Sequence, residues 1–98
     1  MAGLPNPARG EVVLRVDGTP RRLCLTLGAL ARLEAALDCR APGALEARLR
    51  ALSSSDLITV VAALAVDEEL TPAAVAAARL SPVEAAAAVA AAFQEAFA

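Results

Sequence analysis

Two periodicities meet in this chain with almost no spacer, and together they constrain the fold. From Glu11 to Val16 the side chains alternate, with Val12, Leu14 and Val16 on one face and Glu11, Val13 and Arg15 on the other. Arg21–Leu27 alternates again, setting Leu23, Leu25 and Leu27 against Arg22, Cys24 and Thr26. Period-two patterning marks half-buried strands. From Leu30 onward the large apolar residues recur every three or four positions instead, which is the spacing of a helix face. The chain is therefore expected to be α+β: an N-terminal two-stranded antiparallel hairpin packed on a small bundle of four to five short helices. A lone hairpin is barely stable in water. It must bury a face on its own helices or lend an edge to another protein.

Asp17-Gly18 invites a two-residue turn, but that register sets Leu14 opposite Arg21 and Arg15 opposite Pro20. A four-residue loop, Asp17–Pro20, sets Leu14 against Leu23 and Val12 against Leu25 and keeps Pro20 out of the ladder. The longer loop is the expected one. Thr26 is placed to cap a first helix over about 27–39, with Leu30, Leu33 and Leu37 as its stripe. Ala41-Pro42-Gly43 breaks the chain. A second helix over about 43–52 carries Leu45, Leu49 and Leu52, and Ser53–Ser55 leads into a third over about 56–66. Thr71-Pro72 and Ser81-Pro82 each pair a cap residue with Pro at the first helical position, predicting helices over 72–79 and 82–97. Ser81 and Glu84 have the spacing of a capping box. Ala86, Ala90, Phe93 and Phe97 share one stripe of the last helix, with Val89 beside it. Residues 1–9, with Pro5, Pro7, Gly3 and Asn6, are expected to form a flexible lead-in to a single domain over 10–98.

Composition limits what such a chain can do. Of its 98 residues 27 are Ala, and there are two Phe, no Trp and no Tyr. The Leu and Val positions must carry the core, since Ala buries little area, and so short a chain buries only a modest share of its surface. Marginal stability follows, to be supplemented by self-association or a partner. All nine basic residues are Arg, and only Arg79 lies beyond Arg50. No basic stripe exists to neutralise phosphates, so no nucleic-acid partner is expected. The uncharged runs Leu57–Val66 and Ala85–Gln94 fall well short of the ~18–20 residues that span a bilayer, and no secretory signal pattern opens the chain. The expectations are a cytoplasmic protein, no membrane partner, and Cys24 and Cys39 reduced.

Chemistry-bearing constellations are scarce. The chain has no His, which removes His-based acid–base catalysis, His-activated nucleophiles and His metal ligation. Two isolated Cys do not make a zinc site, and the Gly residues form no phosphate loop. No enzymatic activity, cofactor, metal or small-molecule substrate is expected. Asp67, Glu68 and Glu69 read as a solvated acidic linker ahead of a helix N-terminus rather than a cation site. Ser53-Ser54-Ser55-Asp56-Leu57 reads as a helix cap rather than a carrier-protein attachment site, because no Ser follows the Asp. Phe93 and Phe97, at i and i+4, either plug the core or anchor a partner, since aromatics dominate interface energetics. Partner-binding candidates are Val13 and Arg15 on the strand and Phe93 and Phe97 on the last helix.

Gly10-Glu11, Asp17-Gly18 and the run Leu25-Thr26-Leu27-Gly28-Ala29-Leu30-Ala31-Arg32-Leu33-Glu34 resemble the gene transfer agent family of small phage-type tail proteins. Ser53–Leu64 and Leu70–Val75 resemble later segments of that family, with Asp67–Glu69 where the family usually carries a Gly-rich spacer. The resemblance implies a non-catalytic role in tail formation. Three roles are open: a tail assembly chaperone for the tape-measure and major tail tube proteins, a structural tail tube or connector subunit, or a generic interaction module, each compatible with a homo-oligomer. The chaperone is favoured, because a tube subunit builds a β-rich ring and one hairpin supplies little strand. In that reading the apolar hairpin face packs on helices one and three, and the outer edge is left to pair with another strand.

Overall fold

The structure, a computed structural model, describes residues 10–41 and 43–96. The expected lead-in over 1–9, and Phe97, lie outside the described residues. β1 (Glu11–Val16) and β2 (Thr19–Cys24) form a two-stranded antiparallel sheet. Five helices follow: α1 (Leu27–Ala36), α2 (Ala44–Leu49), α3 (Ser54–Leu64), α4 (Pro72–Ala77) and α5 (Pro82–Ala96). The α+β architecture of a hairpin on short helices is as the periodicity indicates.

The hairpin register corrects the expected four-residue loop. Asp17 and Gly18 have φ of 54° and 76°, and two positive φ values are what a two-residue type I′ turn requires. Val12 faces Leu23, Leu14 faces Arg21 and Arg15 faces Pro20. Pro20 is tolerated because of ladder parity. The pair flanking the turn, Val16 and Thr19, is hydrogen-bonded, so Arg15 and Pro20 direct their backbone groups away from each other. The N–H that Pro20 lacks is not one the hairpin would use. Arg21 is tolerated opposite Leu14 because its Nη1 donates to Asp67 Oδ2 at 2.8 Å. The turn is tied down at a distance: Asp17 N–H donates to the Arg79 carbonyl at 2.9 Å, and Arg79 N–H donates to Asp17 Oδ1 at 2.6 Å.

Caps set the helix ends. Thr26 Oγ1 accepts from Ala29 N–H at 3.0 Å and starts α1. That helix stops at Ala36, short of the expected end, because Asp38 turns left-handed at φ 53°. Cys39 N–H then reaches back to the Glu34 carbonyl at 2.9 Å and Asp38 N–H to Ala35 at 3.4 Å, which is a Schellman closure. Ser53 and Asp56 form a reciprocal capping box, so α3 begins at Ser54 rather than at Asp56. Thr71 caps α4 through Ala74 N–H at 3.2 Å, and Ser81 Oγ accepts from Glu84 N–H at 3.3 Å ahead of α5.

The core joins Leu14, Val16 and Leu23 of the hairpin to Leu33, Val60, Val61, Leu64 and Val75. α3 is the hub, touching α1, α4 and α5. The hairpin rests chiefly on α5 rather than on helix one, while β2 touches α3 as expected. The reason lies in side-chain size. α5 buries Ala85, Ala88, Val89 and Ala92, and methyl side chains let its backbone approach the sheet closely. This stripe also replaces the predicted one: Ala86 and Ala90 are exposed and Phe93 is half-buried. α3 ends at Leu64, not Val66, because the chain turns extended. Ala65 bridges Leu23, and Val66 N–H donates to the Arg22 carbonyl at 2.9 Å.

Candidate functional site

Two surfaces stand out, one of backbone and one of side chains. Val66 takes a position on the outer edge of β2, so that edge is partly closed. The same hydrogen bond fixes which residues of β1 look outward. Arg22 directs its carbonyl away from β1, and in an antiparallel ladder the residue facing it then directs its own backbone groups the opposite way. That residue is Val13. Glu11 and Arg15, two positions either side, share its orientation. No further strand pairs with β1 among the described residues. Val13 is 40% exposed and Arg15 is exposed. On the same sheet face Glu11 Oε1 lies 3.8 Å from Arg22 Nη1. Val13 and Arg15, singled out from sequence, therefore stand together on one edge of the sheet.

Phe93 belongs to a different surface. It is half-buried in an open groove of about 840 Å³ between α1, α2 and α5, with Leu30, Leu45, Leu49, Leu52 and Val89 as its apolar neighbours and Glu46, Arg50 and Gln94 on its rim. Leu45, Leu49 and Leu52, the expected stripe of the second helix, are only half-buried, and α2 has no fully buried residue. Their apolar stripe forms one wall of the groove. A trough with aliphatic walls and a charged rim suits one face of an amphipathic helix. Phe97 falls outside the described residues.

An arginine–carboxylate clamp escaped the sequence reading. Arg48 Nε and Nη2 each donate to the Asp56 carboxylate at 2.8 Å, and Nη1 donates to the Leu37 carbonyl at 3.3 Å. Ser53 N–H donates to Asp56 Oδ2 at 3.3 Å. This fork ties the end of α1, all of α2 and the start of α3 together. The guanidinium bonds pull the Asp56 carboxyl from 3.8 down to about 2, against a smaller opposing push from burial. A helix cap within Ser53–Leu57 was legible, but no local spacing signals that Arg48 would reach Asp56.

The remaining features take structural roles. Asp67 pairs with Arg21, as above. Cys39 is buried with its Sγ donating to the Leu37 carbonyl at 3.3 Å, Cys24 is half-buried, and neither is in a disulfide. Among the described residues no cluster of His, Cys, Asp and Glu is placed to hold a metal ion. No helix among them is long and apolar enough to cross a membrane.

No curated protein and no solved structure shows a significant match to the chain. A family model does match, described as phage tail tube protein, GTA-gp10, and it covers residues 9–98. With nearly its whole length accounted for, the chain belongs to this family of gene transfer agent tail proteins.

Proposed function

We propose that the protein is a non-catalytic tail assembly chaperone, which holds the long helical tape-measure protein and brings tube subunits to it. The observation that supports this most is the groove walled by Leu30, Leu45, Leu49 and Phe93, whose form and rim suit an amphipathic helix. The small share of strand argues the same way, since a tube ring needs β-structure from every subunit and the described residues carry one two-stranded sheet. In this reading Phe93, with Phe97 four residues on, anchors the tape-measure helix. Val13 and Arg15 present a strand edge for pairing with another chain.

The family's own description favours a second reading, a structural tube or connector subunit. Mass spectrometry of purified, finished particles separates the two. A chaperone is absent from them and abundant in assembling lysate, whereas a structural subunit is present in many copies. Pull-down against the tape-measure and tube proteins tests the groove. Phe93→Ala should weaken tape-measure capture about tenfold or more, as expected of an aromatic anchor, with the circular dichroism spectrum unchanged. Undiminished capture by a folded variant would count against the groove.

A further inference from the structure

We infer that Arg48 is the positioning residue of the apolar groove: its bonds to Asp56 and Leu37 seat α2 as one wall, and without them α2 leaves that seat while the rest of the fold stands. The inference rests on the proposal that the groove receives a helix, and it adds what fixes the groove's width. Arg48 does not itself line the groove, so it acts through α2.

Little else holds α2. It is six residues long, and an isolated helix that short is not stable in water. Its N-cap, Gly43, offers no side-chain bond to the first turn, and none of its residues is fully buried. The backbone hydrogen bonds at its ends are local: Ala44 N–H to the Ala41 carbonyl, Ala47 to Gly43, Arg50 to Ala47 and Ala51 to Arg48. The exposed Arg50–Glu46 pair lies within the same turn of chain, so it stiffens α2 slightly without attaching it. Among the described residues, the side-chain hydrogen bonds that leave α2 for another element all come from Arg48. Beyond them there is the apolar contact of the half-buried Leu45 and Leu49.

The anchor that Arg48 grips is rigid. Asp56 is 8% exposed, belongs to the capping box of α3, and already accepts from Ser53 N–H at 3.3 Å. Two parallel guanidinium bonds to one carboxylate fix direction as well as distance. The third bond, from Nη1 to the Leu37 carbonyl at 3.3 Å, reaches the end of α1, the helix whose Leu30 lines the groove. One side chain thus sets the spacing of α2 from both α1 and α3. Helix geometry turns the apolar stripe the right way. At about 100° per residue, Leu45 and Leu49 lie about 40° apart, with Arg48 about 60° to one side of them and Glu46 about 60° to the other. Glu46 is on the groove's rim and Arg48 is fastened to the body, so the leucines between them face into the groove.

The test uses the full chain and two separate readouts: backbone chemical shifts of the free protein, and capture of the tape-measure protein. Arg48→Met keeps the apolar stem and loses all three bonds. Its α2 shifts should move from helical towards coil values while those of α3 and α5 stay helical. With no more than about a third of molecules keeping α2 seated, capture should weaken about threefold or more. Arg48→Lys keeps a charge beside Asp56 but cannot make the parallel fork and reach the Leu37 carbonyl together, so it should fall between wild type and Arg48→Met in both readouts, and it decides the matter if Arg48→Met does not fold. Gly18→Ala, which lowers stability at the hairpin turn and lies outside the groove, should leave α2 shifts and capture as they are. Helical α2 shifts in a folded Arg48→Met chain overturn the inference. So does a Lys variant in which all the helices loosen together, and so does a loosened α2 with undiminished capture. A wild-type chain that captures no tape measure sinks the chaperone reading instead, and the chemical shifts then decide the inference alone.

Discussion

At the scale of single residues, the Arg48–Asp56 fork has the clearest consequence. The Asp56 carboxyl titrates lower in the folded chain, at about 2 instead of 3.8, so the folded state holds its proton less tightly than the unfolded state does. Its contribution to stability is therefore complete above about pH 4 and is lost as pH falls through about 2. Urea unfolding midpoints followed from neutral pH to pH 2 should drop over that window. Asp56→Asn should lower the midpoint at neutral pH and flatten the drop. Ser53→Ala, which removes the other half of the capping box, should cost about 1 kcal/mol at neutral pH. A cap near Ser53–Ser55 was legible because Ser side chains satisfy orphan backbone donors locally, although the helix was expected to start two residues late. The fork was not, because Arg48 and Asp56 lie on different helices and meet only once the intervening turn is folded.

Among the elements, the hairpin shows how local chemistry outranks a pattern argument. Matching Leu to Leu across the strands favoured a longer loop, yet Asp17-Gly18 accepts the positive φ values that a tight turn demands, and outward-pointing Pro20 removes the objection to it. Gly18 has φ of 76° and nothing within 4 Å of where a Cβ would lie. Gly18→Ala should thus destabilise through backbone strain alone, by about 1 kcal/mol, in thermal melts at neutral pH. α2 is the opposite case, an element with an apolar stripe and no buried residue. Its amides should exchange with solvent faster than those of α3, and should slow on binding a tape-measure helix if the groove is its seat.

For the molecule as a whole, an Ala-rich chain builds its core by proximity rather than by bulk. Leu23, Leu33, Leu64, Val60 and Val61 are the largest fully buried side chains among the described residues. Leu23→Ala should cost about 2–5 kcal/mol, a large share of the ~5–15 kcal/mol typical of a domain. Leu27→Ala, at a residue 86% exposed, should stay within about 0.5 kcal/mol. Chemical denaturation of the two variants checks the contrast. Alternation in Glu11–Val16, the caps at Thr26, Ser53, Thr71 and Ser81, and the Leu spacing were enough to place one hairpin before several short helices, because these signals act over a few neighbouring residues. Which helix receives the hairpin, which face of α5 turns inward and which strand edge Val66 joins are properties of long-range packing. When about half the positions of a helix are Ala, as in α5, its hydrophobic pattern is weakly directional, and the inward face is selected by the partners that close in on it.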